Sequence, residues 1–359
     1  MSIVAQFEVK FYQYLDENGE LTSADMPAVA KDFETLRKLY RDMAIIRQMD
    51  SKAYALQRTG KMGTYAAATG QEAIGVGYGA VMNDADVLVP YYRGQAAMIQ
   101  HGVRIEEILL YWGGDERGSD FQNEVARQDF PIAVPIATQS LHATGIAKAM
   151  KLRKEKRCVF TEIGEGGTSQ GDFYEALNLA GIWNLGVVFV INNNQWAISV
   201  PSKIQTACQT YAQKAIAAGI ECLQVDGNDV IAMYDAAQKA AEKARNGGGA
   251  TVIEAISLRL CDHTTADDAS RYRPKGELEE GWQKEPLVRL RKYLEHNGHW
   301  SEDEEKAMQA EVVALVQQAV DNYINTPADK PEAMFDNLYA ELPERTLAQR
   351  ELAISRGAK

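Results

Sequence analysis

The chain is poor in the residues that mark several common protein classes. Histidine occurs five times in 359 residues and cysteine four times. Cys158, Cys208, Cys222 and Cys261 form no CxxC pair, so neither a redox dithiol nor a cysteine zinc site is indicated, and reduced thiols in a cytoplasmic protein are expected. Basic charge is also scarce: 38 Lys and Arg stand against 50 Asp and Glu, a net charge of -12. That balance leaves no field to attract nucleic acid or an anionic membrane, and the local cluster Lys151, Arg153, Lys154, Lys156 and Arg157 is expected to be solvated surface. Apolar runs such as residues 187–191 fall far short of the roughly 20 residues needed to cross a bilayer. No charged-then-apolar leader opens the sequence, and no repeat or low-complexity tract interrupts it.

What remains is ordinary globular composition, 46% hydrophobic and 25% charged, enough for one large core or two modest ones. Residues 1–45 form a polar, mixed arm with a turn at Asn18-Gly19, leading into an amphipathic helix over 33–49 whose Leu36, Leu39, Tyr40 and Met43 share a face. From Thr69 small residues dominate: Gly70, Ala73, Gly75, Gly77, Gly79 and Ala80 suit a helix packed closely on its neighbours. Apolar strands and helices then alternate, with strands at 158–163, 187–191, 222–225 and 251–257 and helices at 141–150, 172–183 and 230–246. This is an α/β pattern, a parallel sheet with helices on both faces, over residues 46–298. Ser301 followed by Glu302, Asp303 and Glu304 starts a C-terminal helical segment, residues 299–359.

Ligands of such sheets sit beyond the carboxyl ends of the strands. There, between a strand and a helix, lies Gly164-Glu165-Gly166-Gly167-Thr168-Ser169-Gln170-Gly171. Glycines let a backbone approach phosphate, and helix-start amides offer free donors. A nicotinamide GxGxxG motif would need glycine at 169, where serine stands, and no acidic residue follows about twenty positions on. Asn192, Asn193 and Asn194 end the next strand, so Glu165 and Asn194 should share one crevice. Two oxygen ligands beside phosphate-binding amides suit magnesium, which completes its octahedron with phosphate oxygens and water. A metal-bridged diphosphate is the expected ligand.

A glycine-acid-glycine followed some thirty residues later by paired asparagines resembles the thiamine diphosphate fingerprint. The run GEGGTSQGDFYEALNLAGIWNLGVVFVINNNQWAIS closely resembles the alpha subunits of pyruvate and branched-chain 2-oxo acid dehydrogenases. GQEAIGVGYGAV, YYR at 91–93, VDGNDV at 225–230 and HTTADDASRYR at 263–273 extend the likeness over most of the chain. The resemblance implies a thiamine diphosphate-binding fold. It implies magnesium on the side chains of Glu165 and Asn194 and the carbonyl of Trp196, with diphosphate on the amides of Gly166 and Gly167 and on Tyr92 and Arg93. It places the aminopyrimidine against the backbones of Val134 and Ile136. His263 opens a mobile loop and would bind phosphate or transfer a proton near its ordinary pKa, and Asp267, Asp268, Arg271 and Tyr272 would order that loop when cofactor is present. Thr264, Thr265 and Ser270 are its candidate phosphorylation sites. His101, His142, His296 and His299 receive no role.

The same resemblance implies partners. A separate beta subunit would complete the cofactor cleft in an alpha2beta2 assembly, and the acyl group would pass to a lipoyl-bearing acyltransferase core. The substrate is a small 2-oxo acid. TSQGDF leans to pyruvate, slightly favoured, whereas Glu165, VDGNDV and GHWSEDEE near 298 lean to branched-chain acids. Two readings from other classes stay open: a nicotinamide-dependent oxidoreductase and an inactive scaffold subunit.

Overall fold

The structure, a computed structural model, describes residues 1–336 and 338–357. In chain order the strands are β1 (Lys10–Tyr12), β2 (Val87–Val89), β3 (Val159–Gly164), β4 (Val187–Asn193), the two-residue β5 (Trp196–Ala197) and β6 (Val200–Pro201), β7 (Glu221–Asp226) and β8 (Thr251–Ile256). Six of them pair in parallel in the order β1-β7-β8-β4-β3-β2, and β5 and β6 make an antiparallel ribbon. The sheet expected from the sequence is therefore present. It also carries two three-residue edge strands, β1 and β2, that are too short to show a period.

Around the sheet run α1 (Phe33–Arg58), α2 (Glu72–Gly79), α3 (Gln95–Gln100), α4 (Ile105–Trp112), α5 (Thr138–Leu152), α6 (Gly171–Ile182), α7 (Ser202–Gln205), α8 (Val230–Arg245), α9 (Glu277–Gln283), α10 (Pro286–His296), α11 (Glu302–Asn325), α12 (Ala333–Asp336) and α13 (Glu344–Gly357). The two-residue period of β4 sorts them. Val188 and Val190 enter a cluster shared with α1, α2 and α8, whereas Val187, Phe189 and Ile191 enter one shared with α5 and α6. A strand buried on both faces must be apolar at every position, which is why β4 reads VVFVI.

Caps fix where helices begin. Asp32 accepts from the amide of Thr35, Asp229 from those of Ile231 and Ala232, and Ser301 from that of Glu304, the start expected from the sequence. The N-terminal and C-terminal segments are less separate than composition implies. α1 crosses residue 45 without a break, and Leu15, Val312 and Val316 join the same apolar cluster as the sheet. Helices α7, α12 and α13 have no buried residue. Among the described residues no helix is long and apolar enough to cross a membrane.

Candidate functional site

β3 and β4 are adjacent and parallel, with Gly164 opposite Asn192, so both chains leave the sheet at the same level. After β3 the backbone makes a 3-10 turn, Glu165–Ser169, before α6 begins at Gly171. The segment that the sequence placed between strand and helix is thus one tight turn. A Cβ on Gly166 would sit 2.5 Å from that of Ala197, and one on Gly167 would sit 2.7 Å from Ile163. The turn therefore reaches its surroundings through bare backbone.

The ten residues singled out from the sequence, Tyr92, Arg93, Val134, Ile136, Glu165, Gly166, Gly167, Asn194, Trp196 and His263, all border one cavity of about 230 Å³. Three residues on its wall carry a buried polar atom without a hydrogen-bond partner: Arg93 Nε, Gln139 Oε1 and Glu165 Oε1. Buried polar groups are normally paired, so such a concentration at one cavity marks groups prepared for something else. Glu165 is 1% exposed, and its pKa is pushed up to about 7 by burial, against the pull of the neighbouring amides and of Arg259 and Arg93. A cation at Oε1 would supply the missing partner. Among the described residues no three His, Cys, Asp or Glu side chains gather to hold a metal.

Asn194 donates through Nδ2 to Gln71 Oε1 at 2.9 Å, and its Oδ1 accepts the amide of Trp196 at 3.2 Å. The Trp196 carbonyl, expected as a metal ligand, accepts from Arg259 Nη1 at 3.2 Å. That bond takes one of the carbonyl's two lone pairs and leaves the other free.

Arg259 escaped the sequence reading altogether. It is fully buried and donates to the carbonyls of Ile198 at 3.0 Å and Cys261 at 3.2 Å and to the hydroxyl of Tyr272 at 2.7 Å. Burial, then the nearby Arg93, lowers its pKa. Arg93 donates to the carbonyl of Ala67 and, at 2.8 Å, to that of His263. Neither arginine makes a salt bridge among the described residues; Arg93 lines the cavity, and Arg259 lies behind its wall against the carbonyls of Trp196 and Ile198. An apolar run, Leu258-Arg259-Leu260, with a cation inside it was the available signal. Tyr91, Gln139, Gln170 and Gln205 also line the cavity and were not singled out.

His263 departs from expectation. Arg93 Nη2 lies 3.3 Å and Arg259 Nη1 3.4 Å from its Nδ1. Burial and these two cations push its pKa down to about 3, so the ring is neutral rather than poised near its ordinary value. Facing two donors, Nδ1 is the acceptor, which puts the proton on Nε2. The loop behind it is already tied down: Asp267 accepts the His263 amide at 2.9 Å and the hydroxyl of Tyr272, and Asp268 caps Ser270. The buried arginine of this segment is Arg273, paired with Glu277 at 3.2 Å, whereas Arg271 is exposed.

Residues 40–332 match the dehydrogenase E1 component family. The chain is 40% identical over 343 residues to the pyruvate dehydrogenase E1 component subunit alpha of Mycoplasma genitalium, covering 95% of each chain. The protein of the same name from Acholeplasma laidlawii is 40% identical over 339 residues, 94% of this chain and 97% of the relative. That from Bacillus subtilis is 37% identical over 351 residues, 97% and 93%. With most of its length matched by the family and by these relatives, the chain belongs to the dehydrogenase E1 component family.

Proposed function

We propose that this chain is the alpha-type subunit of a pyruvate dehydrogenase E1 component and binds the diphosphate end of magnesium-thiamine diphosphate. The observation that carries the reading is the mixed charge of one site: Glu165, with no partner at Oε1, and Arg93 line the cavity, and Arg259 lies behind its wall, neither arginine in a salt bridge among the described residues. A lone cation would be repelled by the arginines and a lone anion by the carboxylate. A magnesium-bridged diphosphate satisfies both.

In this reading Glu165 and Asn194 hold the metal, joined by the Trp196 carbonyl through its second lone pair. The amides of Gly166 and Gly167, with Tyr92 and Arg93, hold phosphate oxygens, and the backbones of Val134 and Ile136 flank the aminopyrimidine. Thiamine diphosphate bound there supplies the carbon nucleophile that adds to a 2-oxo group and the electron sink for loss of carbon dioxide. His263 offers an Nε2–H donor at the cavity. It moves a proton only after a bound anion has raised its pKa. Pyruvate is favoured as substrate because the relatives described above are each named for it, and the acyl group would go to a lipoyl-bearing acyltransferase.

A beta subunit is the expected partner. Val134, Ile136 and Ile198 line the cavity and are 51%, 45% and 55% exposed, an apolar rim suited to being covered by a second chain. The test is calorimetric titration of the chain, coexpressed with a beta-type subunit, using thiamine diphosphate with and without magnesium and NAD as a control. Magnesium-dependent binding of thiamine diphosphate supports the reading, and turnover of pyruvate against branched-chain 2-oxo acids then decides the substrate. Binding of NAD alone overturns it, and binding of neither by a folded complex favours an inactive scaffold.

A further inference from the structure

The turn that carries Glu165, Gly166 and Gly167 is gripped from behind by a lysine that does not line the cavity. Lys214 is 6% exposed and makes no salt bridge among the described residues. Its ammonium donates to Thr168 Oγ1 at 2.8 Å and to the Thr168 carbonyl at 3.1 Å, and it sits 5.5 Å and 5.4 Å from the ring centres of Tyr174 and Tyr211. Thr168, itself fully buried, passes the grip forward by donating its hydroxyl to the Glu165 carbonyl at 2.6 Å.

Burying an ammonium without a carboxylate is costly, and burial lowers its pKa, with the two aromatic faces returning part of the cost. Arginine or glutamine could bond a hydroxyl in the open with less penalty. What the buried charge adds is direction. Peptide units that present N–H groups to an anion turn their carbonyls away from it, and a cation at the carbonyl side stabilises that alignment. Lys214 acts in this way through the Thr168 hydroxyl, which bonds the Glu165 carbonyl of the peptide unit carrying the Gly166 amide, and Gln205 Nε2 assists with a 3.3 Å contact to the Gly166 carbonyl, of the unit carrying the Gly167 amide, and a 2.8 Å bond to Ser169.

We propose that Lys214 is a positioning residue: clamped on Thr168, it fixes the Glu165 carboxylate and the Gly166 and Gly167 amides in the register a metal-bound diphosphate requires. The inference rests on the proposed cofactor reading. Its test compares the wild-type complex with Lys214→Met, which keeps length and ring contacts but loses charge and donors, with Lys214→Arg, which keeps the cation, and with Thr168→Val, which cuts the relay and leaves Lys214 in place.

Three measurements are made on the complex with a beta-type subunit: the Kd for thiamine diphosphate at fixed magnesium, kcat at saturating cofactor, and hydrogen exchange of the amides at 166–169 without ligand. Lys214→Met should raise Kd about tenfold, the worth of one charge-assisted hydrogen bond. It should also speed exchange of the turn and leave kcat at saturating cofactor within about twofold. Lys214→Arg should restore most of the affinity, and Thr168→Val should fall between.

Wild-type affinity and exchange in Lys214→Met would overturn the proposal. Should that variant fail to assemble, unchanged exchange and affinity in Thr168→Val would overturn it equally. A wild-type complex that binds no thiamine diphosphate would sink the cofactor reading alone, because the exchange rates test the clamp without ligand.

Discussion

Residues 70–80 and 164–171 each contain four glycines, and composition does not tell them apart. In the first stretch every glycine of α2 is spent on contact. An added Cβ would come within 2.6 Å of the Cβ of Ala96 at Gly75, 2.6 Å of that of Met233 at Gly77 and 2.8 Å of that of Gln100 at Gly79. The polar groups of that helix are answered: Glu72 pairs with Arg47, and Tyr78 bonds Glu162 at 2.8 Å. In the second stretch Gly164 and Gly171 face open space, and Glu165 is left buried without a partner at Oε1. Glycine makes room in both places. In α2 the room is filled by neighbouring helices, and in the turn it is kept beside a cavity.

The largest expected effect tests the second half of that comparison. Glu165→Gln keeps shape and removes the charge, so magnesium-dependent binding of thiamine diphosphate to the complex should weaken by more than about a hundredfold. The thermal midpoint should hold or rise, since the wild type buries an unpartnered carboxyl. Tight magnesium-dependent binding by this variant would remove Glu165 from the metal site.

The first half is tested by Gly77→Leu. Its side chain must enter the space of Met233 on α8, and a loss of about 3 kcal/mol or more is expected in chemical unfolding. Gly164→Ala is the control: an added Cβ there meets nothing within 4 Å, so stability should move by less than about 0.5 kcal/mol. Equal losses would erase the distinction between packed and open glycines. A smaller effect should follow Arg93→Lys, which keeps charge but loses the fork that reaches Ala67 and His263 together. Cofactor affinity should fall about tenfold with little change in stability, and unchanged affinity would assign Arg93 to loop support alone.

The two stretches also show what a sequence exposes and what it hides. β3, β4 and α6 were legible because β3 and β4 are largely apolar runs separated by a helix-length segment, and the ends of β3 and β4 then brought Glu165 and Asn194 to one crevice by register alone. β1 and β2 are three residues each and carry no periodic signal. The end of α1 was also hidden, because the helix continues to Arg58, well past the Leu36-to-Met43 stripe that announced it. Arg259 and Lys214 were missed for a different reason: each acts through partners distant in sequence, Lys214 through Thr168 forty-six positions away. Motif resemblance names residues that touch a ligand more readily than those that hold the residues that do.

His263 gives the last and smallest test, one that turns on a charge near in sequence, Arg259, and one far from it, Arg93. Arg93 lies 170 positions away, and with Arg259 and burial it pushes the imidazole pKa from its ordinary value to about 3. Between that value and about 6.5 the unfolded chain takes up a proton that the folded chain refuses. Stability should therefore be fully present above pH 6.5 and decline as pH falls through this window. In His263→Asn the loss between pH 7 and pH 5.5 should be smaller by about 1 kcal/mol, allowing for partial solvent screening. With only five histidines in the chain, selective ¹³C labelling gives a direct check: one imidazole signal should stay fixed from pH 8 to pH 5 and vanish in the variant. A bound diphosphate would set a dianion against the two arginines and draw the pKa back up, so the same signal should begin to titrate when magnesium-thiamine diphosphate is added. A signal that titrates near 6.5 without ligand would mean that the arginines do not flank Nδ1 in solution, and the cavity would then lack the positive wall on which its reading as a diphosphate site depends.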